Sequence, residues 1–158
     1  MQKSSHMSAN GSVIKGASDM DLKSLYREIV NEHNLHPEYK KPLPDATLTK
    51  RGVNPSCGDD ISLQLKIEDD IIADASFTGS GCAISQSSAD MMCGLIIGKP
   101  KDEALALSEA FMNMIRGTAT DKEIELLDDA AALQDIAHMP ARVKCAVLSW
   151  RTLKESIG

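Results

Sequence analysis

Hydrophobic residues recur every three or four positions along five stretches of the chain, and this period predicts amphipathic helices. The predicted helices span residues 19–36, 83–97, 102–115 and 120–136, and the last runs from residue 140 to the end of the chain. Thr120 and Glu123 have the spacing of a capping box, which marks the start of the fourth helix. Pro140 suits the first turn of the last helix.

Two stretches between the first two helices alternate hydrophobic and polar residues, which is the period of a half-buried strand. Residues 61–68 follow this pattern, an acidic reversal occupies residues 68–70, and residues 71–78 return as the second strand of a hairpin. A shorter extended piece is predicted over residues 47–50. The predicted fold class is therefore α+β, with a small antiparallel β-sheet of about three strands packed against about five helices.

The length and composition are those of one folded domain. Residues 1–18 have no apolar period, so we predict a disordered expression leader there and a single domain over residues 19–158. A hydrophobic content of 42% is enough for a folded core. Aromatic residues make up only 3%, so the core is expected to be aliphatic and rich in methionine.

The formal net charge of -6 argues against a nucleic-acid partner, because binding phosphates requires clustered lysine and arginine. No apolar run approaches the roughly 20 residues of a membrane helix, and the first residues lack the apolar core of a signal peptide. We therefore expect a cytoplasmic protein without membrane contact. In that reducing compartment the four cysteines are expected to be ligands, nucleophiles or buried fillers rather than disulfides.

Three of the cysteines and one aspartate form a candidate metal–thiolate site. Cys57 and Asp59 lie two positions apart in a turn at residues 54–59, and the predicted hairpin brings this turn to the same edge as Cys82. Cys145 lies beside the apolar stripe of the last helix and is expected to point toward a site edge. Three thiolates and one carboxylate match the ligand number of a tetrahedral zinc ion.

Structural roles are the alternatives for these residues. Cys57 could be an incidental loop thiol, Asp59 an Asx-turn residue and Cys145 a helix filler. Cys93 lies on an apolar stripe and is assigned to the core. Arg142 is expected either to support the site, through Asp59 or a thiolate, or to be an ordinary surface arginine.

Other charged residues are given structural roles. His33 and His36 lie near the end of the first helix, where an imidazole cation interacts favourably with the helix dipole. The acidic residues at positions 123–129 are predicted to form a solvated face, and the alternative is that they receive a basic partner.

Three motifs carry a resemblance to a known family. They are Asn54-Pro55-Ser56-Cys57-Gly58-Asp59, Gly79-Ser80-Gly81-Cys82-Ala83-Ile84-Ser85-Gln86-Ser87-Ser88 and Arg142-Val143-Lys144-Cys145-Ala146. With these three motifs in this order, the sequence resembles the U-type iron–sulfur cluster assembly proteins, the SufU/IscU family, over residues 19–157. The resemblance implies a fold like that of SufE and the NifU N-terminal domain.

Two departures from the family pattern favour the SufU branch. Scaffold members carry a histidine where this chain has Lys144, and a Leu-Pro-Pro-Val-Lys segment is replaced here by residues 139–144. The extra length at residues 115–132 resembles an insertion of the Gram-positive SufU branch.

The resemblance implies a zinc-dependent sulfurtransferase that takes persulfide sulfur from a SufS-type cysteine desulfurase and serves a downstream iron–sulfur assembly complex. It also implies that Cys57, Asp59, Cys82 and Cys145 bind Zn²⁺ and that Cys57 accepts the sulfur. The first alternative is a scaffold that assembles a [2Fe-2S] cluster, or holds iron, on the same residues. The second is a zinc-stabilised interaction module without sulfur chemistry.

Overall fold

The computed structural model describes residues 19–158, and the leader predicted for residues 1–18 lies outside them. The helices are α1 (Asp19–Leu35), α2 (Ala83–Ile96), α3 (Lys101–Arg116), α4 (Asp121–Leu126) and α5 (Pro140–Ile157), and a 3-10 segment (Asp128–His138) precedes α5. The strands are β1 (Leu48–Asn54), β2 (Asp59–Glu68) and β3 (Ile71–Ser80). The predicted α+β fold class is confirmed.

The three strands form one antiparallel sheet in the order β1-β2-β3. One face of β2 presents Ile61, Leu63 and Leu65, all at most 1% exposed, to the helices. Burying a side chain of this size contributes about 1.5–3 kcal/mol, so the alternating pattern fixes the register of the sheet. Asp69 and Asp70 join β2 to β3 with φ of 53° and 64°, as a two-residue turn with both central residues in the left-handed region requires.

The helices α2 and α5 pack against the sheet, and α3 packs against α5. Phe111 of α3 stacks on Trp150 of α5 with ring centroids 4.4 Å apart. The indole Nε1 of Trp150 donates to the hydroxyl of Ser88 at 2.9 Å, and that hydroxyl donates to the carbonyl of Ala146 at 2.6 Å. These buried bonds hold α2 against α5 next to Cys145.

The predicted single helix over residues 120–136 is wrong. The helix α4 ends at Leu126, because Asp128 adopts φ of 52°, which an α-helix does not accommodate. The chain continues as the 3-10 segment up to His138. The predicted capping box of Thr120 and Glu123 is present, with each side chain bonded to the other residue's backbone N–H.

His33, in the last turn of α1, lies between two carboxylates. Its Nδ1 is 2.7 Å from Asp90 Oδ2 in α2, and its Nε2 is 2.9 Å from Asp129 Oδ2 in the 3-10 segment. Burial by itself lowers the pKa of His33, but the hydrogen bonds and charges of Asp129 and Asp90 outweigh it and raise the pKa from 6.5 to about 9. Asp129, which was assigned to a solvated face, is 45% exposed and in addition helps to join three elements.

Among the described residues, no helix combines the length and apolar character needed to cross a membrane.

Candidate metal centre

The Cys57 turn connects the end of β1 to the start of β2. Asn54 and Asp59 pair across the two strands, and the four residues between them form the turn. The N–H of Cys57 donates to the carbonyl of Asn54 at 3.1 Å, and Gly58 has φ of 73°, which favours glycine. Cys57 is half-buried at this turn.

Asp59 is fully buried and is the first residue of β2, rather than part of an exposed turn. Its Oδ1 accepts from the Cys82 N–H at 2.9 Å and from the Ser85 hydroxyl at 3.1 Å. Burial by itself raises the pKa of Asp59, but hydrogen bonds from Cys82, Cys145, Asn54 and Ser85 lower it below its usual value. The carboxylate is thus held in its charged form before any cation is bound.

Gly81 leaves the space that this carboxylate occupies. A Cβ at position 81 would lie 2.5 Å from the Ser85 hydroxyl oxygen and 2.6 Å from Asp59 Oδ1. Real Cβ atoms do not approach other atoms so closely, so a side chain here would displace Asp59 or Ser85. The turn before Cys82 therefore needs glycine at position 81 for a steric reason.

Cys82 caps the N-terminus of α2. Its Sγ accepts from the backbone N–H of Ser85 at 3.5 Å, and the side chain is half-buried. The pairing of Asp60 with Ser80 brings the Cys57 and Cys82 turns to the same end of the sheet, as the hairpin predicted.

Cys145 lies within α5 with its sulfur at the candidate site, as expected, but it is 2% exposed and therefore buried rather than at an open edge. Burial raises the pKa of its thiol, and hydrogen bonding with Cys82, Asp59 and Cys57 raises it further. Its contacts show that the buried thiol faces the other three candidate ligands. A nearby cation would be needed to deprotonate it at neutral pH.

The structure brings three of the four candidate ligands into one group. Ligand atoms of Cys57, Asp59 and Cys145 all lie within 4.8 Å of one another. Cys82 is outside this group, although it lies near enough to Cys145 to raise the pKa of that thiol. Two thiols and a charged, immobilised carboxylate are a donor set that suits zinc, and Cys82 is the neighbour placed to complete it.

The surroundings of the group include residues to which the sequence analysis gave no role. Asn54 donates to the carbonyl of Lys144 at 2.7 Å, next to Cys145, and Ser85 positions Asp59. Asn54 and Ser85 belong to the motifs around Cys57 and Cys82. Membership of these motifs was the only feature of the sequence that pointed to them. Arg142 is exposed, lines a cleft of about 490 Å³ with His138 and Met139, and is not a partner of the Asp59 carboxylate.

Comparison with known proteins identifies relatives of the whole described domain. A family profile described as NifU-like N terminal domain matches residues 25–157. The chain is 42% identical over 138 residues to a Bacillus subtilis protein named zinc-dependent sulfurtransferase SufU, covering 87% of this chain and 92% of that protein. It is 41% identical over 138 residues to a Thermotoga maritima protein named iron-sulfur cluster assembly scaffold protein IscU, covering 87% and 96%.

A solved structure with a similar name has the same fold. A crystal structure of a proposed iron-sulfur cluster assembly scaffold protein for the SUF system, from Fervidobacterium islandicum, superimposes with a TM-score of 0.75. The identity is 32%, and the match covers 83% of this chain and 95% of that one. The two relatives of similar identity carry two different functional names, so similarity alone does not choose between a sulfur carrier and a cluster scaffold.

Proposed function

The chain belongs to the family of NifU-like N-terminal domains and is an iron–sulfur cluster assembly protein of the SufU/IscU type, and on that premise we propose that it is a zinc-dependent sulfurtransferase. Cys57 accepts persulfide sulfur from a SufS-type cysteine desulfurase and passes it to a downstream assembly complex. The observation that carries the proposal is the unequal exposure of the site, since Cys57 is half-buried on a turn while Asp59 and Cys145 are buried.

Cys57, Asp59, Cys82 and Cys145 would hold the zinc ion. A bound zinc ion supplies the positive charge that keeps thiols deprotonated at neutral pH. This positive charge matters most at Cys145, because burial raises the pKa of that thiol. Asp59 Oδ1 accepts two hydrogen bonds, whereas the bond from Asn54 Nδ2 to Oδ2 is long, at 3.4 Å, so Oδ2 has capacity for a ligand bond.

The transfer step needs a thiolate that can leave its site without unfolding a helix. Cys82 caps α2 and Cys145 lies inside α5, whereas the Cys57 backbone N–H is bonded only within its own turn. The Cys57 thiolate attacks the outer sulfur of the desulfurase persulfide, and a new S–S bond forms on Cys57. The old S–S bond breaks, its electron pair leaves with the desulfurase cysteine as a thiolate, and the proton of the outer sulfur stays on the new persulfide.

The test compares Cys57→Ala with Cys93→Ala, which removes a cysteine from the core of α2. Desulfurase turnover with cysteine and a reductant should lose its stimulation with Cys57→Ala and keep most of it with Cys93→Ala. Mass spectrometry of the wild-type protein should find an adduct of about 32 daltons, the mass of one sulfur atom, on Cys57. Stimulation that survives Cys57→Ala would exclude Cys57 as the acceptor.

A cluster scaffold is the second candidate function. It is favoured by the name of the Thermotoga maritima relative and by the proximity of Cys57 and Cys145, with Cys82 beside Cys145, since cysteine thiolates are the ligands of a [2Fe-2S] cluster. Anaerobic reconstitution separates the two candidates. A stable brown species that transfers intact to an apo-ferredoxin would support the scaffold, whereas tightly held zinc and sulfur on Cys57 would support transfer.

A further inference from the structure

Asn54 connects the Cys57 turn to helix α5. The residue is 5% exposed, and its Nδ2 donates to the carbonyl oxygen of Lys144 at 2.7 Å, although the two residues are 90 positions apart in the chain. Lys144 immediately precedes Cys145. The bond therefore joins the end of β1 to the backbone beside the buried thiol.

The same residue contacts the two other ligand-bearing positions of the three-ligand group. Its Nδ2 is 3.4 Å from Asp59 Oδ2, and its backbone carbonyl accepts from the Cys57 N–H at 3.1 Å. Its Oδ1 accepts at 3.4 Å from Nη2 of Arg151, which lies further along α5. Asn54 is thus bonded to Cys57, to Asp59 and to the residue before Cys145.

The bond to Lys144 is not needed to satisfy the backbone of α5. A carbonyl inside an α-helix already accepts from the N–H four residues later, so the Asn54 amide is an additional donor to it. Instead, the bond holds the end of β1 at one position along α5. It is also the shortest of the three side-chain hydrogen bonds that Asn54 makes.

The chemistry of these contacts specifies an amide. A primary amide offers two N–H donors and one acceptor oxygen, and here the donors face a carbonyl and a carboxylate while the oxygen faces a guanidinium. An aspartate at position 54 has nearly the same shape but would place a negative charge against Asp59 and the Lys144 carbonyl. An alanine would remove the connection without adding a charge.

We propose that Asn54 is a positioning residue that sets the distance between Cys57 and Cys145 by fixing the Cys57 turn to α5. The purpose of this role rests on the proposed metal centre. The distance between Cys57 and Cys145 is nevertheless a property of the metal-free protein. Loss of the Asn54 amide lets the turn move away from the helix. The two thiols then share a cation less readily.

The first measurement reports the distance without any metal. Dibromobimane becomes fluorescent when it bridges two neighbouring thiols, and a Cys82→Ser background leaves Cys57 and Cys145 as the pair at the site. Serine preserves the cap of α2, since serine is a preferred N-cap residue. In the metal-free protein, Asn54→Ala and Asn54→Asp should each slow bridging severalfold, while alkylation of Cys57 alone by a monofunctional reagent should not slow.

The second measurement is the zinc affinity of the full chain, from competition with a chromophoric chelator. Residues that orient metal ligands typically contribute 10- to 100-fold to affinity, so we expect a loss of about that size in both Asn54 variants. The matched control is Asn113 of α3, whose amide donates to Glu123 at 3.1 Å and whose oxygen accepts from Arg116 at 3.3 Å. Asn113→Ala and Asn113→Asp should leave bridging and affinity within about threefold of wild type.

The outcomes are decisive in each direction. Slower bridging together with weaker zinc binding supports the proposal, and slower bridging in a protein that holds no zinc supports the positioning role while removing the proposed metal function. Unchanged bridging in Asn54→Asp overturns the proposal even if the zinc affinity falls. If both Asn54 variants are unfolded at 25 °C by circular dichroism, Asn54 is a residue of the fold and the proposal also fails.

Discussion

The bridge made by His33 gives the stability of the metal-free protein a defined dependence on pH. The pKa of His33 is raised from 6.5 to about 9 by Asp129 and Asp90, against the effect of burial. A shift of this size corresponds to about 3 kcal/mol at most. Because Asp129 is 45% exposed and its half of the bridge is screened by solvent, we expect about 2 kcal/mol for the whole bridge.

The sign follows from the raised pKa. His33 is protonated in the folded protein up to about pH 9 but in the unfolded chain only up to about pH 6.5, so its stabilisation is complete below 6.5 and is lost as the pH rises through 9. Replacing His33 with Gln removes the cation while keeping a polar side chain. The wild type should therefore exceed His33→Gln by about 2 kcal/mol at pH 6 and by much less at pH 10.

The assay is urea unfolding of the metal-free protein in the presence of a chelator, followed by circular dichroism at both pH values. Taking the difference between the wild type and the variant at each pH cancels the titration of the other groups. His36→Gln is the control, because His36 lies just beyond α1 and is exposed. A difference between wild type and His33→Gln that is equal at pH 6 and pH 10 would refute the ionic bridge and leave only a packing role.

Two further predictions concern glycine and turn geometry. Gly81→Ala should push Asp59 or Ser85 out of place and increase the rate of zinc release to a chelator by about tenfold or more, and an unchanged rate would mean that the carboxylate can move without cost to the site. Asp69→Asn combined with Asp70→Gly should raise the free energy of unfolding by about 0.5–1 kcal/mol in urea titrations, because these residues suit the positive φ of both turn positions. A lower free energy of unfolding would show that the Lys101–Asp70 ion pair, which the second change removes, outweighs the backbone effect.

The elements with a strong period were predictable from the sequence, and those that depend on tertiary contacts were not. The alternation in β2 and the apolar stripes of α2, α3 and α5 predicted the sheet and its helical cover. The break at Asp128 was not predictable, because an aspartate can occupy either a helix or a left-handed position and the surrounding apolar pattern is helical.

The sequence predicted which side chains lie close together at the candidate site but not how deeply they are buried. The predicted hairpin placed the Cys57 and Cys82 turns at one edge of the sheet, and the structure agrees. The inward orientation of Cys145 follows from the packing of α5, where Trp150 and Ala146 are bound to Ser88. The role of Asn54 depends on a partner 90 residues away, so no local pattern could reveal it.

The separation between Asn54 and Lys144 has a consequence for the order of events during biosynthesis. Cys57 and Asp59 leave the ribosome early, but Cys145 belongs to α5 and can join them only when that helix has packed. A metal centre of the proposed composition would therefore be incomplete on a chain that still lacks α5. Metal binding at the proposed centre would thus report that α5 is in place.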